Sequence, residues 1–293
     1  MSARVGLIAS LRPTIAALLL CAFAALATNA QSAGVAMVTD LQGKATATTQ
    51  GRSSDVAILD ELEPGAIVQL SQGATLAVLY LAAGDEYVFK GAATIEFKAA
   101  QPEMQSGAKP ERRNLTSKGG KDIRIKPVGM VQGAMVMRGA KDMRIEPLNL
   151  QRTRILESKP EFRWKELQPG LQYTFELVDD SGRSLFEAPV TAPSMKLPAN
   201  VQLREGVPYT WKVSARLADG RTYSSSAEFT VASADLRAKA TALRPAASRA
   251  LSARVAYAAW LDQMELKDEA RKYWQAAAAE RPESTRLNTL AAQ

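Results

Sequence analysis

Two pairs of neighbouring acids, Asp85-Glu86 and Asp179-Asp180, are the side chains of this sequence whose types match the acid and the nucleophile or base of glycoside hydrolysis. Each pair falls at a predicted hairpin turn, where acids serve turn geometry, and neighbours in sequence rarely face one another across a substrate. The remaining inventory is thin. The histidine count is zero and the single cysteine, Cys21, lies near the N-terminus. Imidazole general-base catalysis, thiolate nucleophiles and most transition-metal sites are thereby removed from the rest of the chain. No nucleophile elbow, phosphate loop or zinc motif occurs. Met130, Met135, Met137 and Met143 cluster, but methionine without cysteine or histidine reads as core packing rather than as a soft-metal site. Trp164 and Trp211 could stack on a sugar, yet both sit in an alternation that marks the buried face of a strand. The expectation is a non-enzymatic protein with no catalytic residue, no metal and no cofactor.

What remains are binding residues. From Lys98 to Lys126 there are eight basic and three acidic residues, a surplus that equals the formal charge of the whole chain, +7, once Arg4 and Arg12 are set aside. Within this stretch Ala99 to Lys121 holds Pro102, Gly107, Pro110, Gly119 and Gly120 and almost no large apolar residue, so it is expected to be a basic flexible loop. Lys109, Arg112, Arg113, Lys118 and Lys121 are its candidate partner-binding residues, and an anionic glycan or lipid headgroup is the matching ligand. Because the charge is local and the stretch lacks aromatics for base stacking, nucleic acid is not an expected partner. A second group of candidates is aromatic: Tyr257, Trp260 and Trp274, near the C-terminus, could dock an envelope protein complex.

The elements that must carry these residues fall into successive regions. With 293 residues, 46% hydrophobic and 23% charged, the chain can bury a sizeable core in about two domains. Residues 1–30 read as a secretory signal peptide: Arg4 and Arg12 precede an apolar run of 13 residues, Ile15 to Ala27, and small residues lead to Gln31. That run is short of the roughly 20 residues a spanning helix needs, so no integral membrane span is expected after cleavage, and the periplasm is the expected destination. The mature chain would have no cysteine and hence no disulfide.

Residues 35–98 show short apolar runs, Val56–Leu59, Ile67–Leu70, Leu76–Leu81 and Tyr87–Phe89, separated by Gly65, Gly73, Gly84 and Gly91, which predicts antiparallel β structure. Thr94 to Lys98 alternates strictly, and Leu76 to Leu81 is apolar throughout, as in a central strand. Residues 122–150 read as a β-hairpin extension with an internal repeat, Lys121-Asp-Ile-Arg-Ile-Lys-Pro127 returning as Lys141-Asp-Met-Arg-Ile-Glu-Pro147. Residues 158–232 alternate again, in Leu171-Tyr173-Phe175-Leu177, Tyr209-Trp211-Val213-Ala215 and Tyr223-Ala227-Phe229-Val231, which predicts a β-sandwich with turns at Asp180-Ser181-Gly182 and Asp219-Gly220. Over residues 235–293 the period changes: Tyr257, Trp260, Leu261 and Met264, then Ala270, Tyr273, Trp274 and Ala277, predict two antiparallel helices, with Asp268 and Glu269 opening the second and Pro282 following it. The fold class is mainly β with a C-terminal α-helical hairpin.

Three resemblances accompany these patterns. Leu41 to Gly43, Leu62 to Gly65 and Gly73 to Leu76, with Gly84 and Gly91, resemble the FecR-like periplasmic domain. Pro160-x-Phe162-x-Trp164, Tyr173-x-Phe175 and Gly206-x-x-Tyr209-x-Trp211-x-Val213 resemble a fibronectin type III or related immunoglobulin-like module. Ala258, Leu261, Ala270, Trp274, Ala277 and Pro282 are similar to one tetratricopeptide repeat, from which Arg254 departs. The resemblances imply an interaction or scaffold protein of the bacterial cell envelope. The alternatives are a peptidoglycan-, lipopolysaccharide- or polysaccharide-binding protein, and an envelope signalling regulator of the iron-uptake type. One helical repeat cannot bury its own apolar stripe, so it must pack on the sandwich, on another subunit or on a partner.

Overall fold

A computed structural model of the chain describes residues 33–114, 125, 143–246 and 250–293. The predicted signal peptide, Lys118, Lys121 and most of the predicted hairpin extension lie outside the described residues, as do Met130, Met135 and Met137.

The first β module contains β1 (Ala36–Gln42), β2 (Ala45–Thr49), β3 (Arg52–Asp55), β4 (Glu61–Leu62), β5 (Ala66–Leu70), β6 (Thr75–Tyr80), β7 (Asp85–Lys90), β8 (Ala93–Phe97), β9 (Pro102–Ser106) and β10 (Glu111–Asn114). They form two five-stranded antiparallel sheets, ordered β10-β7-β6-β1-β4 and β3-β2-β5-β8-β9. Alternation decides the faces: Val38, Val78, Tyr80 and Phe89 of the first sheet share one core with Val68, Ile95 and Phe97 of the second. The apolar run at β6 is indeed central, and because its sheet is covered on both faces, Leu79 is as buried as Val78. Gly43 turns β1 into β2 at φ +84°, and a Cβ there would stand 2.8 Å from the Cβ of Ala74. Only glycine meets both demands.

The expected strand at Val56–Leu59 and the expected loop at Ala99–Lys121 both fail in this module. Val56–Leu59 is a turn rather than a strand: the Asp60 carboxylate accepts from the Ala57 amide at 2.6 Å, and Leu59 takes φ 71° with its amide bonded to the Val38 carbonyl at 2.7 Å. Its apolar residues are plugs, Val56 into the inter-sheet core and Ile58 into the core beneath the helices. Ala99–Lys121 is not one flexible loop, since β9 and β10 lie within it. Among the described strands both are outermost, a position where a proline at the strand start and charged side chains are tolerated.

The second module contains β11 (Glu146–Pro147), β12 (Thr153–Ile155), β13 (Glu161–Lys165), β14 (Tyr173–Val178), β15 (Ser184–Val190), β16 (Ser194–Lys196), β17 (Pro208–Arg216) and β18 (Thr222–Val231). Its sheets run β12-β18-β17-β14-β15 and β11-β13-β16, antiparallel except where β12 pairs parallel to β18. Phe162, Trp164, Phe175 and Trp211 fill the core, with ring centroids 4.8 Å apart for Phe162–Phe175 and 5.5 Å for Phe162–Trp211. Trp164 and Trp211 are 1% and 0% exposed, so neither offers a sugar platform. Met143, expected to pack, is instead exposed beside the start of this module.

Four helices follow where two were expected: α1 (Ala234–Leu243), α2 (Leu251–Gln263), α3 (Lys267–Glu280) and α4 (Thr285–Ala291). α2 and α3 are the predicted pair. The added helices are short and begin at serine caps, Ser233 accepting from the Leu236 amide and Ser284 from the Leu287 amide. Gly34–Gln293 forms one compact unit. Among the described residues no helix is long and apolar enough to cross a membrane.

Candidate functional site

Among the described residues the predicted binding residues do not converge. Tyr257, Trp260 and Trp274 are 3%, 1% and 2% exposed, which rules them out as a free docking surface. The apolar stripe of α2 needs a cover, and the chain supplies it. Met37, Leu79 and Leu81 from the outward face of the first sheet, with Ile58, Ala232 and Ile125, close one core with Tyr257, Trp260, Leu261 and Trp274. Tyr257 stacks on Trp260 and meets Tyr273 edge-on with centroids 5.0 Å apart, while its hydroxyl donates to the Ala240 carbonyl of α1 at 2.8 Å. Burial pushes that hydroxyl up to about 12, against the pull of the nearby Arg244.

Of the basic candidates, Arg112 and Arg113 are engaged within the chain. Arg112 bonds Asp85 at 2.6 Å and Arg113 grips Glu111 through two bonds of 2.8 and 2.7 Å. Lys109 is exposed beside them.

The helices are pinned to both β modules. On the first, Arg281 at the end of α3 forks onto Asp40 of β1, with Nε–Oδ1 at 3.0 Å and Nη2–Oδ2 at 2.9 Å, and Arg286 of α4 reaches Asp60 at 2.7 Å and the Ile58 carbonyl at 3.1 Å. On the second, the turn between α2 and α3 docks on β12: the Thr153 hydroxyl donates to the Glu265 carbonyl at 3.0 Å and accepts from the Lys267 amide at 3.0 Å, and the Arg154 amide donates to the same carbonyl at 2.7 Å. Asp268 accepts from the Leu150 amide at 2.7 Å. Leu59, Leu150, Arg152 and Glu265, at or beside these docking points, are non-glycine residues with φ between 48° and 71°. Each costs about 1 kcal/mol or more and persists only where its surroundings over-determine it.

The acid pairs of the sequence separate into two kinds. Asp179 is a turn acid as expected: its carboxylate accepts from the Ser181 hydroxyl at 2.6 Å, the Ser181 amide and the Arg183 amide at 3.1 Å each, and the Arg183 guanidinium at 3.0 Å. These bonds, the Ser181 hydroxyl first, hold its pKa down at about 2. Asp85-Glu86 is not in a turn but opens β7, because the turn closes one residue earlier at Gly84, whose amide bonds the Tyr80 carbonyl at 2.8 Å. Asp85 turns to Arg112. Glu86 turns the other way, under the helices, and is 0% exposed.

Strand register fixes what surrounds Glu86. It lies opposite Leu79 on β6, which lies opposite Met37 on β1, and on its other side opposite Arg113 of β10. Where β1 slips register between Val38 and Asp40, the buried Thr39 hydroxyl donates to Glu86 Oε1 at 3.4 Å. Among the described residues Oε2 has no hydrogen-bond partner. From above, the hydroxyl of Ser252 in the first turn of α2 lies beside the carboxyl. Burial raises the pKa of Glu86 above its ordinary value, and Ser252, Arg113 and Thr39 pull it back while Asp40 adds to the rise. A desolvated carboxyl with a charge partner is the kind of group that marks a functional position. Nothing in the local sequence separates it from the turn acid Asp179: the sign would have been an apolar run overhead, and that run lies far along the chain.

Among the described residues no group of three acids, histidines or cysteines could hold a metal ion. No family model and no curated protein matches the chain. Among solved structures, 30% of the chain is similar to 93% of CopC from Methylosinus trichosporium OB3b, with 18% identity and a TM-score of 0.24. Likewise 65% of the chain is similar to the dimeric latent PorU from Porphyromonas gingivalis, with 14% identity and a TM-score of 0.23, and covers 16% of that protein.

Proposed function

We propose that the chain is a non-enzymatic interaction scaffold of the bacterial cell envelope, acting in the periplasm after loss of residues 1–30. In this reading the first module is FecR-like, the second is a fibronectin type III or immunoglobulin-like sandwich, and α2 with α3 is a tetratricopeptide-like hairpin. The observation that carries it is the double pinning of the helices, through Asp40–Arg281 and Asp60–Arg286 on one module and through Thr153, Glu265 and Asp268 on the other. Both modules are thereby held in one frame, as a protein needs if it presents two surfaces at a fixed spacing. Function lives in sites rather than folds, and a pinned pair of β modules is suited to holding partners.

The glycan- and lipid-binding alternative draws on the basic stretch from Lys109 to Lys121, and the pairing of its Arg112 and Arg113 with Asp85 and Glu111 counts against it. The test is proximity crosslinking of the full chain, tagged at its C-terminus, in intact envelopes. A defined set of envelope proteins recovered at fixed ratio, with crosslinks on the β-sheet faces that the helices leave uncovered, is the expected result. Recovery of glycan or lipid with no stoichiometric protein, in a salt-sensitive manner, overturns the scaffold reading in favour of the alternative.

A further inference from the structure

We propose that Glu86 is a proton-operated latch between the first sheet and α2: as the neutral acid it lets the helix seat on the sheet, and as the carboxylate it loosens that seat. The inference goes beyond the scaffold reading and holds whatever the partner is.

The geometry favours the neutral form. A fully buried carboxylate needs several donors, and among the described residues Glu86 has the Thr39 hydroxyl at the long distance of 3.4 Å on Oε1 and none within hydrogen-bond distance of Oε2. A neutral carboxyl needs less and carries a proton to donate, and the Ser252 hydroxyl beside it is an acceptor as well as a donor. The groups facing it come from every neighbouring element. β1 brings Thr39 and the acid Asp40, itself neutralised by Arg281; β6 brings the apolar Leu79; β10 brings Arg113; α2 brings Ser252. Asp85, on its own strand, is paired with Arg112.

Arg113 is the part with two settings. It now grips Glu111, and its cross-strand position also sets it directly opposite Glu86. When Glu86 loses its proton, a second carboxylate competes for that guanidinium, and the charge at the α2 seat favours water or Arg113 over the helix. The rise in the pKa of Glu86 by burial gives the sign. The latch contributes its full stability below the ordinary glutamate range, and that stability is lost as pH rises through the raised value. Since α2 lies on the first sheet and its outgoing turn on β12, the latch sets how firmly the two modules are joined.

Amide exchange of the full chain, followed by mass spectrometry from about pH 5 to about pH 8 and corrected for intrinsic exchange, tests this. In the wild type, opening of Leu251–Gln263 relative to Pro208–Arg216 should increase severalfold across that range. In Glu86→Gln the increase attributable to this site disappears, whereas Asp262→Asn, which removes the half-buried acid of α2 itself, retains it. An unchanged pH dependence in Glu86→Gln, or none in the wild type, overturns the latch. Should Glu86→Gln fail to fold, infrared difference spectra of the wild type and Ser252→Ala decide. A protonated buried carboxyl band that titrates together with α2 protection and shifts in Ser252→Ala supports the proposal, and absence of such a band overturns it.

Discussion

Ile125 and Ile145 hold the same position in the two copies of one heptapeptide, and they are buried in different cores: Ile125, 3% exposed, beneath the helices, and Ile145, 2% exposed, in the core of the second module. One short pattern thus serves twice as an apolar plug, once for each side of the molecule. Truncating either plug should cost about 2–4 kcal/mol, but in different places. Ile145→Ala should raise amide exchange first in β14 and β17, and Ile125→Ala first in α2 and α3. If Ile125→Ala left the helices as protected as before, the plug assignment at that position would be wrong.

The Asp40–Arg281 fork, with side chains 16% and 15% exposed, is the better shielded of the two ion pairs holding the helices to the first module; Asp60–Arg286 is 29% and 34% exposed. Arg281→Met should therefore destabilise by about 1–3 kcal/mol, because Asp40 is left without its partner near the buried Glu86. Arg286→Met should cost about 0–1 kcal/mol. Denaturant unfolding of each variant, with Asp40→Asn to close a double-mutant cycle, checks the ranking. Equal costs for the two arginines would contradict it.

The β character of both modules was legible because period-two alternation survives wherever one face of a strand meets a core, as at Thr94–Lys98 and at Tyr209–Ala215. The edges were not. β9 and β10 carry Pro102, Arg112 and Arg113, and composition that suits an edge strand is the same composition that suits a loop. The helices were legible from Tyr257, Trp260 and Trp274, but their cover was not, because an apolar stripe says that something is buried and not by what. Glu86 was illegible for the related reason that its depth depends on Ser252, which reaches it only through the tertiary fold. Asp179 was legible because its bonds are local, all to residues up to four positions away.

That locality has a consequence in acid. The Asp179 pKa lies at about 2, below its ordinary value, so the stability it contributes is present above the ordinary aspartate range and is lost as pH falls toward about 2. Asp179→Asn should flatten this part of the acid limb of a thermal stability profile, leaving the profile above about pH 5 parallel to the wild type. A limb as steep as in the wild type would mean that other acids drive the acid loss.

Asp262 makes the opposite prediction on the alkaline side. Burial raises its pKa, and the Trp274 indole, donating to Oδ2 at 2.7 Å, is the first of the groups that pull it back. A raised acid contributes stability that is complete below its ordinary value and declines as pH climbs through the folded one. Trp274→Phe keeps most of the aromatic volume but removes the donor, so the carboxylate becomes costlier still and the decline extends to higher pH. The variant should lose about 1–3 kcal/mol where Asp262 is ionised in the wild type, and less where both proteins hold the neutral acid. Melting curves at about pH 5 and about pH 8 measure the difference directly. A gap between variant and wild type that is as wide at the lower pH as at the higher would show that lost packing, not the hydrogen bond to Asp262, is what Trp274 contributes.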